Sequence, residues 1–169
     1  MRVVLQRVQR GRVRLGERTI AEIGRGLVLL VGVGHGDDQA CADGLAEKIA
    51  GLRVFEDQDG KTNLSLEDVG GQVIVVSQFT LYADARKGRR PSFTDAALPD
   101  VAEPLVRRFA EQLAGRGVPT QMGEFGAHML VEIENDGPLT MVLERSTTGR
   151  RLLASPRPHT ARFGSGRGA

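Results

Sequence analysis

The pattern of apolar and polar positions predicts a strand-rich N-terminal third. Charged and apolar residues alternate over residues 3–8 and 12–15, on either side of Gly11, as in half-exposed strands. Residues 19–23 form a third short strand. Residues 27–33 are apolar apart from one glycine, which is typical of a strand buried on both faces. We therefore expect four strands joined by short turns before residue 34.

Two later segments have the periodicity of amphipathic helices. The apolar stripe of the first helix consists of Cys41, Leu45, Ile49 and Leu52. The stripe of the second helix, over about residues 101–114, consists of Val101, Leu105, Phe109 and Leu113. Asp37 and Asp38 precede the first helix, where we expect an N-cap and first-turn acids that face the helix dipole. Gly115 and Gly117 are expected to end the second helix.

Residues 73–83 begin as a buried strand and become polar within the same predicted element. Their first four side chains are apolar and β-branched, and Ser77, Gln78 and Thr80 follow. Because side chains alternate along a strand, Ser77 and Phe79 are expected on one face, and Gln78 and Thr80 on the other. Such a strand is predicted to leave the core at a cleft. The alternative is that these polar side chains are simply solvated.

Two further strands, residues 129–134 and 139–143, flank Asn135-Asp136-Gly137-Pro138. Asn-Asp-Gly is typical turn sequence, although a proline directly after the glycine is unusual in a tight hairpin. Only about 5–6% of X–Pro bonds in folded proteins are cis. Local chemistry alone therefore predicts a trans, purely structural turn.

Length and composition indicate one domain that can bury a core. The chain has 169 residues, of which 40% are hydrophobic and 26% charged. No apolar run approaches the ~20 residues that span a bilayer, and Met1 is not followed by a signal-peptide pattern. The single cysteine excludes an intramolecular disulfide and fits a reducing compartment. We therefore expect a cytoplasmic protein that has no membrane partner.

The net charge of +2 is distributed unevenly along the chain. No acidic residue follows Glu144, whereas residues 146–169 contain Arg150, Arg151, Arg157, Arg162 and Arg167. Residues 1–145 carry 18 basic and 21 acidic side chains, so the positive charge belongs to the C-terminal tail. We predict a folded domain over residues 1–145 and a disordered tail over residues 146–169. Basic tails commonly bind nucleic acid, although a solvated tail with no specific role is the commoner case.

A basic loop follows directly after the polar end of residues 73–83. Its cations are Arg86, Lys87, Arg89 and Arg90. The position of this loop favours an anionic substrate, most simply a nucleic-acid backbone. Four arginines near the N-terminus could also contact phosphates, although charges on strand faces are usually just solvated; these are Arg7, Arg10, Arg12 and Arg14.

Two motifs of this chain resemble those of the D-aminoacyl-tRNA deacylase family. They are Ser77-Gln78-Phe79-Thr80-Leu81 and Asn135-Asp136-Gly137-Pro138-Leu139-Thr140. Segments 4–8, 24–32, 60–64 and 90–93 support the resemblance, which covers about residues 1–143 in the same order. Either motif alone would be a weak signal. Leu139 is a departure, because valine or isoleucine is commoner there, and the tail has no counterpart in the family.

The resemblance implies an α+β fold in which strands form a barrel and two main helices pack outside it, paired in a homodimer. It implies hydrolysis of the ester that joins a D-amino acid, or glycine, to the 3′-terminal adenosine of tRNA, with no metal or other cofactor. Charged tRNA would thus be the partner. By position, Ser77, Gln78, Phe79 and Thr80 would line the adenosine and the ester.

The resemblance also assigns the remaining pocket residues. Gly137 and Pro138 would be joined by a cis bond, reach into the partner subunit's pocket and reject L-amino acids there. Phe125 and Met129 would complete the pocket, and their simpler interpretation is core packing. Arg86, Lys87, Arg89 and Arg90 are the predicted tRNA-binding side chains.

No side-chain base is evident beside Ser77. The sequence has no Gly-x-Ser-x-Gly elbow there, and no adjacent histidine or acid that could activate a nucleophile. Of the three histidines, only His128 could lie near the pocket. This scarcity agrees with the family mechanism, in which the 2′-hydroxyl of the tRNA assists and backbone N–H groups near Phe79 and Thr80 stabilise the oxyanion. Two alternatives remain, a non-catalytic tRNA-binding module and a conventional serine or threonine hydrolase of small esters.

Overall fold

The computed structural model describes residues 1–86 and 88–147. Within them the elements are, in chain order, β1 (Arg2–Leu15), β2 (Arg18–Ile23), β3 (Gly26–Gly32), α1 (Gln39–Ala50), β4 (Phe55–Glu56), β5 (Thr62–Leu64), β6 (Gln72–Ser77), a 3₁₀ helix (Phe79–Tyr82), α2 (Pro99–Ala114), β7 (Thr120–Met122) and β8 (Leu130–Glu144). Lys87 and all of the predicted tail except Ser146 and Thr147 lie outside the described residues.

One six-stranded sheet dominates the fold. Its strands follow the order β2-β1-β3-β6-β7, and β8 pairs with β1. Strand β1 is antiparallel to β2, β3 and β8, whereas β6 is parallel to β3 and β7. The side-chain amide of Gln121 on β7 joins the sheet edges, because it accepts from the Glu22 N–H at 3.0 Å and donates to the Glu22 carbonyl at 2.7 Å. The sheet thus nearly closes into a barrel, which confirms the α+β fold class.

Alternate side chains of the central strands pack into two different cores. Leu29 and Val75 face a large core that α1 and α2 cover. Val28, Ile74 and Val76 face a smaller core inside the barrel. Strands β3 and β6 are buried on both faces for this reason, as their apolar runs predicted. No helix in the described part of the chain is long and apolar enough to cross a membrane.

The N-terminal region contains one long strand in place of two. Strand β1 continues through Gly11, which we expected to separate two strands. A Cβ at this position would lie 2.7 Å from Cγ2 of Val28, so the glycine leaves room for a side chain of the inner core. The glycine therefore serves packing and does not mark a turn.

Both helices form where predicted, with three corrections. Asp38 caps α1, since its carboxylate accepts from the Cys41 N–H at 3.0 Å, but Asp37 lies outside the helix and makes other contacts. Leu52 follows the end of α1 and packs beside the core. Val101 is 47% exposed, and Ala102 takes its place. A four-residue spacing drifts around a helix of 3.6 residues per turn, so three such steps carry Val101 away from the buried stripe.

The predicted turn at residues 135–138 does not pair two strands with each other. Strand β8 is continuous, and both of its halves pair with β1. Asn135 is opposite Val8 and Thr140 is opposite Gln6, so residues 136–139 form a bulge in the ladder. Pairing with the long strand β1 satisfies backbone groups on both sides of the bulge, and this outweighs the local preference for a hairpin.

Candidate functional site

A cavity of about 570 Å³ opens where β6 ends. Its walls come from the ends of β3 and β6, from the first turns of α2, and from two connecting segments around Phe93 and Phe125. Ser77, Gln78 and Phe79 all line it. The polar end of the buried strand therefore lies at a cleft and is not merely solvated.

The segment that follows β6 is a helix, so the predicted strand is correct only as far as Ser77. The Gln78 N–H donates to the Val31 carbonyl at 2.7 Å, which is the last bond between β6 and β3. Strand β3 ends at Gly32, and the chain then coils into the 3₁₀ helix. The expected two-faced arrangement is thus wrong, because Gln78 lines the cavity together with Ser77 and Phe79. Gln78 and Thr80 are nevertheless neighbours, as predicted, and their side chains are hydrogen-bonded at 2.5 Å.

The first amide groups of this helix are available to a ligand. The opening N–H groups of a helix have no partner within it. Among the described residues no acceptor is found for the N–H of Phe79 or Thr80, whereas those of Leu81 and Ala83 donate to the carbonyls of Gln78 and Thr80. Two adjacent backbone donors at a cavity edge can bind an oxygen that becomes negatively charged. Phe79 lines the cavity, whereas Thr80, the next residue, is not among the residues that line it.

Two aromatic rings stand at the cavity. Phe79 and Phe93 meet edge to face with their centroids 5.0 Å apart, and both are exposed. Phe125 and Met129, in the segment between β7 and β8, also line the cavity and are half-buried. Phe125 also packs against the core beneath the helices and Met129 against the core of the barrel, so lining the cavity and packing are compatible roles.

The cavity contains few groups that could act as acids or bases. His128 is the one titratable side chain among the described residues that line it. In the part of the chain that the structure describes, no histidine or carboxylate is hydrogen-bonded to the hydroxyl of Ser77 or Thr80. Residues 1–86 and 88–147 also hold no cluster of three or more histidine, cysteine or acidic side chains suited to a metal ion. This site lacks the hydrogen-bonded base of a serine hydrolase.

The second motif lies elsewhere on the same subunit. Gly137 and Pro138 are exposed at the bulge of β8 and do not line the cavity. Their peptide bond is cis, whereas the local turn chemistry predicted trans. The Asn135 amide supports the bulge by donating to the carbonyls of Arg7 and Leu139, at 3.1 and 3.0 Å.

Arg7 is the residue of this region whose role the sequence did not reveal. Its side chain is 6% exposed, and it donates to the Val54 carbonyl at 2.7 Å and to the Asp136 carbonyl at 3.2 Å. It also pairs with the Asp136 carboxylate at 3.2 Å. A signal was present, because Arg7 follows Val3 and Leu5 on the buried face of β1. A charged residue on such a face needs buried partners.

The other N-terminal arginines are paired with acids. Arg10 and Arg12 contact Glu22, and Arg14 contacts Glu132 at 2.7 Å. These contacts form an ion-pair network on the exposed side of β1. The structure therefore gives these side chains acidic partners within the protein, and we assign them no role with phosphates.

The basic loop is joined to the cavity wall. Asp84 and Ser92 exchange two backbone hydrogen bonds of 2.8 Å, and Phe93 follows directly. Arg86 is paired with Asp84 at 2.7 Å, and its hydrogen bonds lower the pKa of that carboxyl to about 2. Arg89 and Arg90 are exposed, while Lys87 lies outside the described residues.

Comparisons with known proteins agree on one family. A family model described as D-Tyr-tRNA(Tyr) deacylase matches residues 4–144. A D-aminoacyl-tRNA deacylase of Thermomicrobium roseum is 59% identical over 144 residues, which are 85% of this chain and 94% of that protein. A D-aminoacyl-tRNA deacylase of Symbiobacterium thermophilum is 53% identical over 148 residues, which are 88% of this chain and 98% of that protein.

Two solved structures have the same fold. A chain described as c-Myc DNA Unwinding Element Binding Protein is 41% identical, with a TM-score of 0.81 over 86% of this chain and 99% of that one. A probable eukaryotic D-amino acid tRNA deacylase is 20% identical, with a TM-score of 0.73 over 83% of this chain and 97% of that one, and it supports the fold alone.

Proposed function

The chain belongs to the D-Tyr-tRNA(Tyr) deacylase family, and we propose that it hydrolyses the ester between a D-amino acid, or glycine, and the 3′-terminal adenosine of tRNA. As a D-aminoacyl-tRNA deacylase it is a carboxylic ester hydrolase that acts in translation proofreading. The observation that carries the proposal for this site is the cavity at Ser77, Gln78 and Phe79, whose lining is apolar and almost uncharged. Such a lining suits an adenosine and a neutral ester.

The proposed chemistry uses backbone groups of the catalytic segment, by which we mean residues 77–80. The N–H groups of Phe79 and Thr80 bind the carbonyl oxygen of the ester as it becomes an oxyanion. They can do so because no acceptor in the described residues binds them. Ser77 and Gln78 position the adenosine. The 2′-hydroxyl of the terminal adenosine assists the attack of water on the ester carbonyl carbon, and the 3′ oxygen leaves as the 3′-hydroxyl of the tRNA. This accounts for a cavity without a hydrogen-bonded side-chain base. Neither a metal nor a cofactor takes part.

Selectivity against L-aminoacyl-tRNA is assigned to the bulge, residues 136–139. Gly137 and Pro138 are exposed and lie outside the cavity of their own subunit. In the proposed arrangement they act on the substrate by entering the cavity of a second subunit, so the proposed functional unit is a homodimer. In that arrangement the Gly137 and Pro138 backbone blocks the side chain of an L-amino acid, whereas glycine has no side chain to block.

Phe125 and Met129 complete the pocket on the side opposite Phe79. Both residues line the cavity and also pack against the protein interior. Side chains held in this way are suited to fixing the shape of a pocket. We therefore assign them to substrate positioning and not to the chemistry.

The tRNA body is bound by the basic loop and the tail. The proposed tRNA-binding side chains are Arg86, Lys87, Arg89 and Arg90. Among the described residues of this loop, Asp84 pairs with Ser92, and the next residue, Phe93, lines the cavity. The tail begins near this loop, where it follows the deacylase domain, residues 1–145. Thr147 donates to the Gly36 carbonyl at 2.9 Å, and the adjacent His35 ring nitrogen lies 2.8 Å from the Thr94 carbonyl. Residues 146–169 contain five arginines and no acid, a composition that suits binding to phosphates.

The deciding experiment compares hydrolysis of D-tyrosyl-, L-tyrosyl- and glycyl-tRNA by the purified protein. We expect turnover of the D-tyrosyl and glycyl substrates and none of the L-tyrosyl substrate. A 3′-linked D-tyrosyl-tRNA with a 2′-deoxy terminal adenosine should be cleaved far more slowly. Hydrolysis of D-tyrosine ethyl ester at a comparable rate would instead support a conventional hydrolase. Retained tRNA binding without hydrolysis would support a binding module.

A further inference from the structure

Tyr82, the last residue of the 3₁₀ helix, packs directly against the backbone of β3 and the turn after it. A Cβ at Gly34 would lie 2.5 Å from Cε1 and 2.9 Å from the hydroxyl oxygen of Tyr82. A Cβ at Gly32 would lie 3.3 Å from Cδ2 of the same ring and 2.9 Å from the Gln78 carbonyl oxygen. The two glycines therefore allow a close approach that other residues would prevent.

Arg2 holds the same end of the helix from β1. Its guanidinium carbon lies 4.7 Å from the centroid of the Tyr82 ring. Its Nη1 donates to the Leu81 carbonyl at 2.5 Å, and its Nη2 pairs with Glu144 on β8 at 3.3 Å. One side chain thus connects the helix to the first and last strands of the sheet, combining stacking with a charge-assisted hydrogen bond.

A buried carboxylate holds the far end of Tyr82. The Tyr82 hydroxyl donates to Oδ2 of Asp37 at 3.3 Å, and the Gly34 N–H donates to the same oxygen at 2.7 Å. The Met1 ammonium group is paired with the Asp37 carboxylate. Burial, together with the Asp37 charge, raises the pKa of Tyr82, so its hydroxyl remains a donor at neutral pH.

Resting on the function proposed above, we propose that Arg2, Tyr82 and Gly34 are positioning residues of the deacylase reaction. They hold the 3₁₀ helix in the orientation in which the N–H groups of Phe79 and Thr80 can bind the carbonyl oxygen of the ester. A helix of four residues has too few internal hydrogen bonds to hold its own position. Its orientation must therefore be fixed by contacts with other parts of the fold, and Leu81 and Tyr82 make these contacts.

The test disturbs these contacts in two independent ways. Arg2→Ala removes the stacking and the bond to Leu81, and Gly34→Ala introduces a methyl group where the Tyr82 ring lies. With D-tyrosyl-tRNA as substrate, each change should lower kcat about 10- to 100-fold, because a displacement of 1 Å can reduce catalysis by about 100-fold. KM should stay within about twofold, because the affinity for tRNA comes mainly from phosphate contacts.

Matched controls separate this role from general damage. Arg14→Ala removes another β1 arginine with similar exposure, 27% against 32% for Arg2, and a 2.7 Å ion pair with Glu132. Gly24→Ala adds a methyl group where no atom lies within 4 Å. Both controls should keep the wild-type kcat. Arg2→Lys should recover part of the activity lost in Arg2→Ala, since the ammonium group can still donate to the Leu81 carbonyl.

The melting temperature and kcat per folded protein are measured for every variant. A lowered melting temperature with unchanged kcat in Arg2→Ala or Gly34→Ala overturns the proposal, as does a change confined to KM. If Arg2→Ala does not fold, an unchanged kcat in Gly34→Ala and Arg2→Lys overturns it equally. Wild-type protein that does not hydrolyse D-tyrosyl-tRNA refutes the proposed function and this inference together, whereas an active wild type with unaffected variants refutes the inference alone.

Discussion

The catalytic segment and the bulge contain the two motifs on which the resemblance to the family was based, yet the fold holds them in different ways. Residues 77–80 continue from a strand buried on both faces; the Gln78 N–H donates to the Val31 carbonyl of β3, and the Arg2 side chain binds the carbonyl of Leu81 directly after them. Residues 136–139 leave the sheet, and the side chains of Arg7 and Asn135 hold them by binding backbone carbonyl groups.

Because of this difference, substitutions are expected to have different consequences in the two regions. The catalytic segment is held at its start by β3 and just after its end by the contacts of Arg2 and Tyr82, and its proposed oxyanion donors are backbone groups that no side-chain change removes. The bulge depends on a few identifiable side chains and on one glycine. Substitutions of residues 136–139, or of the side chains that bind them, should therefore have larger effects than side-chain substitutions within residues 77–80.

The largest effect is expected from Gly137→Ala. Gly137 has a φ of +119°, and a Cβ there would lie 2.8 Å from Nη2 of Arg7 and 3.1 Å from the Leu139 nitrogen. The bulge must shift, so turnover of D-tyrosyl-tRNA should fall by about 100-fold and selectivity against L-tyrosyl-tRNA should weaken. Gly16→Ala is the control, because its φ is also positive, +56°, while no atom lies within 4 Å. Equal activity of the two variants would exclude the bulge from the reaction.

Arg7→Met should be the most destabilising change that keeps side-chain volume. It leaves the carbonyls of Val54 and Asp136 without their donor, which should lower the free energy of unfolding by about 1–3 kcal/mol in urea titrations. Arg10→Met is the matched control, because Arg10 is 46% exposed and its ion pair with Glu22 should contribute below about 1 kcal/mol. Similar losses in both variants would show that Arg7 does not hold the bulge.

Thr80→Val should have a modest effect, which contrasts with the bulge. The change removes the hydroxyl that binds the Gln78 amide but keeps the Thr80 N–H. The kcat for D-tyrosyl-tRNA should fall by less than about 10-fold, well below the ~10²–10³ that follows loss of an oxyanion donor. Trapping of a covalent adduct on Thr80 or Ser77 would contradict this prediction.

The smallest effect is expected outside both regions, from the tail. Truncation after Thr147 retains its bond to Gly36 and removes all five tail arginines. Affinity for tRNA should decrease most at low salt, and the slope of log K against log salt should become shallower by about 0.7–0.9 per lost phosphate contact. A full-length variant with the five arginines changed to glutamine should behave identically. An unchanged salt slope would show that the tail does not bind tRNA.

The sequence was a good guide where a local pattern determines the structure. The apolar run of β3 and the stripes of α1 and α2 predicted buried elements, and Asp38 predicted the start of α1. The polar residues after Val76 predicted a cleft, where the cavity lies. In each case the local pattern of side chains carries the signal, and no particular distant partner has to be known.

The sequence was a poor guide where distant pairing decides the outcome. The turn chemistry of residues 135–138 is overruled because both halves of β8 pair with β1. The 3₁₀ helix forms because β3 ends at Gly32 and offers the chain no further partner. The burial of Arg7 depends on carbonyl groups of Val54 and Asp136, which are remote in sequence. None of these partners can be identified from a local window of the chain.

Pairing of β1 with β8 also determines when the domain can fold during synthesis. Arg2 is opposite Glu144, so β1 must wait for almost the whole domain before this ladder can form. At about 5–20 residues per second, β1 and β3 leave the ribosome roughly ten seconds before β8. During that interval β1 presents a row of unpaired backbone groups, which other nascent chains can join. Folding of this domain is thus completed only after β8 has been synthesised, and until then it depends on protection of one exposed strand edge.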